Sequence, residues 1–267
     1  MNKLAIFLAA STLLLSSCEK VIELDLNNSD PQIVVEAWLS DDPSERAQVW
    51  LSQSVNFDQS NTYPPLSNAT VFIKNRTTGE VDTLKEVGNS GIYGGSKLVA
   101  QVGQTYDLTV NVKGKTLTSS ATVPRKVNLD SIRLTRTTFF GNENLQIVPR
   151  YLDPKGIGDN YRFVLSVNGN KKTDLLIQND ALSDGAYNAR PLFGRMGDND
   201  IKIGDTLSLE MRCIDAGSYF YFDTLSEGGG GPNSSSATPT NPVSNIKGGA
   251  LGYFSVYTKQ VKSTIVK

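Results

Sequence analysis

From Ile33 onward, apolar side chains recur at every second position. Ile33, Val35, Ala37 and Leu39 share one parity, while Val34, Glu36 and Trp38 share the other. Ala47, Val49 and Leu51 likewise alternate with Gln48, Trp50 and Ser52. Successive side chains of a strand point to opposite faces, so this pattern predicts strands with one buried and one wet face. Asp41-Asp42-Pro43-Ser44 between the two runs is turn chemistry, which makes them an antiparallel hairpin. With Leu39 set opposite Val49, Trp38 faces Trp50 across the wet side. Further strands are predicted over 70–74, 80–84, 106–112, 115–123, 131–139, 145–152, 161–167, 172–178, 206–214 and 251–265. Thr77-Thr78-Gly79, Lys113-Gly114, Asp153-Pro154-Lys155-Gly156, Asn168-Gly169-Asn170 and Gly197-Asp198-Asn199-Asp200 supply turns between them. One helix is expected, a short one over Ala216–Ser226.

These elements predict a mainly β protein of two sandwich-like antiparallel units with one short helix near the C-terminus. The first unit, residues 32–124, carries Gly91-Ile92-Tyr93 and Gly103-Gln104-Thr105-Tyr106-Asp107-Leu108, which resemble transthyretin-like sandwiches, so a transthyretin- or immunoglobulin-like unit is expected. The second covers residues 125–267. Pro124-Arg125-Lys126 marks the boundary, because proline cannot donate within a central strand. Residues 228–242 run from glycines into Pro, Asn, Ser and Thr. Such a segment cannot bury enough apolar surface to offset its ordering entropy, so a flexible loop is expected there.

The N-terminus has a different pattern. One lysine precedes a nearly unbroken apolar run, Leu4 to Leu15, and then Ser16-Ser17-Cys18. The run suits a signal-peptide core and falls short of the roughly 20 residues that span a bilayer. Small residues followed by cysteine match a bacterial lipobox. Residues 1–17 are therefore expected to be removed, Cys18 to be lipidated, and residues 18–31 to form a tether. Two or more acyl chains anchor a protein stably, whereas one does so only marginally.

Composition narrows the chemistry. The 267 residues include 26 Lys+Arg against 27 Asp+Glu, so no basic field points to nucleic acid. Histidine is absent, which removes Ser-His-Asp and Cys-His catalysis and imidazole zinc sites. With Cys18 lipidated, Cys213 is the one other cysteine, and no intrachain disulfide is expected. Cys213 falls in phase with Leu207, Leu209 and Met211, which points it inward. Asp198, Asn199, Asp200 and Asp205 offer oxygens to calcium but miss the EF-hand spacing, and Asp180 and Asp184 fare no better. Turn formation explains them, and no metal, cofactor or catalytic residue is assigned. Asp82-Thr83-Leu84, Asp130-Ser131-Ile132, Asp205-Thr206-Leu207 and Asp223-Thr224-Leu225 match a short glycosylation signal of little specificity. Tyr219-Phe220-Tyr221-Phe222 is a run of four aromatics. On a helix they point all round, so some pack inward and some are left to meet a ligand or partner.

Several stretches carry a family resemblance. They are Cys18 to Leu26, Pro31 to Ala37, Tyr151 to Gly156 with Asn160 to Phe163, Gly204 to Leu207, and Asn241 to Phe254. In this order they resemble a Bacteroidota outer-membrane lipoprotein family, domain of unknown function 4249 (DUF4249). The resemblance implies an outer-membrane lipoprotein at the surface or periplasmic face, often encoded beside a TonB-dependent transporter. It brings no catalytic residues. The resulting expectation is a non-enzymatic binding accessory of a nutrient transporter, lipid-anchored in the outer membrane. The alternative is a structural surface protein, such as a fimbria-like subunit or adhesin.

Overall fold

A computed structural model describes residues 30–56, 62–139, 142–192, 201–228 and 241–267. The expected signal peptide, Cys18, most of the tether and most of loop 228–242 lie outside the described residues. Seven strands build the first half: β1 (Ile33–Ser40), β2 (Gln48–Gln53), β3 (Thr70–Asn75), β4 (Val81–Glu86), β5 (Ile92–Gly94), β6 (Thr105–Val112) and β7 (Lys115–Thr122). The second half holds β8 (Ser131–Phe139), β9 (Asn142–Arg150), β10 (Asn160–Val167), β11 (Asn170–Lys171), β12 (Leu176–Asn179), β13 (Thr206–Ile214), helix α1 (Ala216–Gly228) and β14 (Leu251–Ile265). The architecture is mainly β, as the alternation predicts.

One ladder runs β11-β10-β13-β14-β1-β2-β5-β4-β3-β6-β7, with β12 also on β10, and β8 pairs with β9 as a separate hairpin. In the first half the ladder folds over on itself. Val35, Ala37, Leu39, Val49 and Leu51 meet Val71, Ile73, Leu108, Val110 and Leu117 in one apolar cluster. In the second half Tyr161, Phe163, Leu165, Leu207, Leu209, Met211 and Cys213 meet Ile147 and Tyr151. Each fully buried Leu, Ile, Val or Phe contributes roughly 1.5–3 kcal/mol, so both clusters are substantial.

Strand β14 serves both halves. Val34 to Ser40 of β1 pair in parallel with Leu251 to Tyr257. Thr206 to Ile214 of β13 pair antiparallel with Tyr257 to Ile265. Phe254 and Val256, with Ile246 and Ala250 before them, therefore belong to the first cluster although they lie near the C-terminus. This parallel pair departs from the purely antiparallel sheets expected. Hydrophobic alternation reads each strand's faces but carries no information on its neighbour or direction. The approach is close: at Gly252 a Cβ would lie 2.0 Å from the Val35 carbonyl oxygen, at φ +104°. At Gly248, φ +103°, it would lie 2.6 Å from the Thr116 oxygen.

Two local expectations are corrected. The first hairpin pairs Ala37 with Val49 and Glu36 with Trp50, two residues away from the register expected. A two-residue slip keeps every side chain on its face. The indoles still meet, diagonally and edge to face, with ring centroids 5.3 Å apart. Of the strand expected over 172–178, only the end forms, as β12; residues 172–175, mostly polar, are not strand, and β11 lies before them.

Candidate functional site

Two places concentrate polar chemistry. The first is the sheet face beneath α1. Asp215 caps this helix: its Oδ1 accepts the Ser218 N–H at 3.1 Å and its Oδ2 the Ser218 hydroxyl at 2.5 Å. Such a cap satisfies donors that the first turn leaves free. Burial pushes the Asp215 carboxyl upward against those two hydrogen bonds. The helix lies on β14, β10 and β12.

Its four aromatics divide as a helix requires. Tyr221 and Phe222 are buried against Tyr253, with centroids 5.0 and 4.8 Å from it. Tyr219 is half-buried, and its hydroxyl accepts from Asn179 Nδ2 at 3.2 Å. Phe220 is 52% exposed. The Arg162 guanidinium stands 4.1 Å over the Phe222 ring. Burial raises the Glu36 carboxyl above its ordinary range, with Arg162 opposing. Burial, with the Glu36 charge, pushes the Tyr221 phenol up to about 12. Trp38 packs at the margin of this aromatic cluster, and Trp50 beyond it is 43% exposed. The face thus grades from a closed aromatic core to an open indole.

The second place lies where the β10–β12 ladder ends. Asn160 pairs with Asn179 as the last rung, which sets the preceding Asp159 beside the following Asp180. The Asp180 N–H donates to the Asp159 carbonyl at 3.1 Å. Asp153 reaches the same spot from the 151–159 loop. Asp153, Asp159 and Asp180 are all buried, and one oxygen of each lies within 4.8 Å of the others. Asp180 Oδ2 accepts the Gly158 and Asp159 N–H groups at 2.6 and 2.9 Å. Tyr161 donates its hydroxyl to Asp153 Oδ1. Asp153 Oδ2 is enclosed and has no hydrogen-bond partner among the described residues. Burial raises the Asp153 carboxyl, and the charges of Asp159 and Asp180 raise it further.

Arg125, just past β7, supplies a positive charge. Its Nε lies 2.9 Å from both oxygens of Asp159. Its Nη2 donates to the Pro154 and Gly156 carbonyls at 3.0 Å each, and its Nη1 to the Lys155 carbonyl at 3.3 Å. This arginine staples the loop to the sheet.

Of these groups, sequence reasoning considered Asp180 and set it aside, and it missed Asp153, Asp159 and Arg125 as a unit. Residues 125, 153, 159 and 180 form no local motif; only the β10–β12 register unites them. The remaining expectations find simple places. Asp205 accepts the Lys202 N–H at 2.7 Å and Asn168 Nδ2 at 2.8 Å, closing turns. Asp184 accepts the Gly156 N–H at 2.5 Å. Cys213 is buried, and burial pushes its thiol up, which leaves it a poor nucleophile. Asp198, Asn199 and Asp200 lie outside the described residues. Among the described residues, no helix is long and apolar enough to cross a membrane.

A family model described as domain of unknown function (DUF4249) matches residues 19–263. No curated protein matches the chain.

Proposed function

The chain belongs to the DUF4249 family, and from that premise we propose a lipid-anchored, non-catalytic accessory of a TonB-dependent nutrient transporter at a bacterial outer membrane. Cys18 is the anchor in this reading, and the α1 face is where the transporter docks. The observation that carries it is the open end of the aromatic face, with Trp50 and Phe220 both largely exposed. Exposed aromatics beside a rigid core suit a protein interface, because they bring large area at low entropic cost. The mature sequence's lack of histidine supports a binding role over catalysis.

Co-purification of the full chain from membranes tests the proposal. A barrel-forming transporter should be retained by the native protein and lost from Trp50→Ser and Phe220→Ser variants of unchanged thermal stability. A ladder of self-associated chains would favour the structural surface protein instead. Cys18→Ala should release the protein from the membrane fraction without unfolding it; equal pelleting of mutant and native chains would reject the anchor.

A further inference from the structure

We propose that Asp153, Asp159 and Asp180 form a binding site for one divalent cation, with Ca²⁺ the fitting ion. Three observations converge. The first is charge: three buried carboxylates face one guanidinium, and a divalent ion removes the remaining imbalance. Buried charges are costly unless paired or coordinated to a metal. The second is the enclosed Asp153 Oδ2, a buried acceptor that nothing among the described residues satisfies. The third is span. Ligand oxygens of Ca²⁺ stand at 2.3–2.6 Å, so two of them lie up to about 5 Å apart across the ion. The 4.8 Å limit on the three carboxylate oxygens fits within that. Mg²⁺ usually keeps several of its waters and is seldom held by an all-protein cage.

The ligand set is all hard oxygen, which excludes a soft-metal preference. Arg125 engages both oxygens of Asp159. It holds Asp159 together with the Pro154, Lys155 and Gly156 carbonyls, so it fixes the loop that presents Asp153. Asp180 is fixed in turn by the Gly158 and Asp159 amides. Two loops and one strand end are thereby tied around a single point. The proposal does not depend on the transporter reading.

The test is titration of the metal-free full chain with Ca²⁺, followed by calorimetry and thermal unfolding. One ion per chain should bind, with an affinity in the roughly micromolar to millimolar range of oxygen-ligand sites, and the melting temperature should rise relative to EDTA. Tyr161 touches Asp153, and Tyr151 packs at a tilt against Tyr161 with centroids 4.8 Å apart. Tb³⁺ at this site should therefore emit on tyrosine excitation, and Ca²⁺ should quench that emission by displacement. Asp180→Asn should weaken Ca²⁺ binding about tenfold or more, whereas Asp205→Asn, in an exposed turn, should leave it unchanged. No heat, no melting shift and no sensitised emission from the native chain would overturn the proposal without any variant. Undiminished binding by a folded Asp180→Asn protein would overturn it as well.

Discussion

Asp82 and Asp153 are both buried aspartates with one enclosed oxygen that has no partner among the described residues. Their surroundings differ sharply. Asp82, in the first half, points Oδ2 at three successive backbone N–H groups of Ser96, Lys97 and Leu98, at 2.8, 2.7 and 3.2 Å. It stands apart from the Asp153 group, and oriented amides serve its single charge. Asp153 receives one phenol hydroxyl and faces two more carboxylates. Amides suffice for one buried charge. Three in contact need a cation, and Arg125 is a partial answer. The comparison separates a carboxylate that organises its own loop from a group that is completed by something brought in.

The largest expected effect comes from breaking the first case. Asp82→Ala strands three amide donors, each worth about 1–3 kcal/mol when left unsatisfied. A loss of about 3 kcal/mol is expected by urea denaturation, unaffected by Ca²⁺. A Ca²⁺-dependent loss would erase the distinction drawn here. Next is Arg125→Met, which leaves Asp159 without its ion pair. Breaking a buried pair costs about 3–5 kcal/mol, and the exposure of this guanidinium brings the expectation to about 2 kcal/mol. That loss should be greatest in EDTA and smaller in Ca²⁺. Equal losses in both buffers would argue that the arginine and the cation site are uncoupled.

The smallest effect concerns Glu36, which has neither an amide nest nor a cluster. Burial raises its pKa above 4.5 in the folded protein, against the opposing charge of Arg162. The folded state then holds a proton that the unfolded state releases. This contribution favours folding at acid pH and is lost as pH rises through the folded-state value. Glu36→Gln should therefore change stability at pH 7 by less than about 0.5 kcal/mol, in the stabilising direction. Its advantage over the native chain should shrink as the pH is lowered through that window. A variant that loses stability relative to the native chain as the pH rises from acid to neutral would show that Arg162 outweighs burial.

Much of this was legible in the sequence, and the exceptions have physical reasons. Alternation placed most strands within a few residues, because one wet face and one dry face impose a period of two. It placed Cys213 inward; helical geometry required the aromatics of α1 to divide but did not say that Tyr221 and Phe222 would be the buried ones. It did not give the register of the first hairpin, since a slip of two preserves every face. It could not show that β1 lies beside β14, because pairing is a relation between distant segments. The Asp153 group was hidden for the same reason. Asp153-Pro154-Lys155-Gly156 reads as an ordinary turn, and Asp180 reads as an isolated acid until the Asn160–Asn179 rung joins them.

The parallel pairing of Val34–Ser40 with Leu251–Tyr257 also governs when the protein can become itself. A chain made or exported from its N-terminus presents β1 more than 200 residues before its neighbour exists. Until then the edge of β1 is an unpaired template, the kind of surface on which chains aggregate. Closing so long a loop is not prohibitive, because the entropic cost grows only logarithmically with length. It is slow, however, since distant pairings must be searched for before they reward the search. The last strand to appear is the one that joins both apolar clusters. The first half can therefore complete its apolar cluster only after that strand has been made.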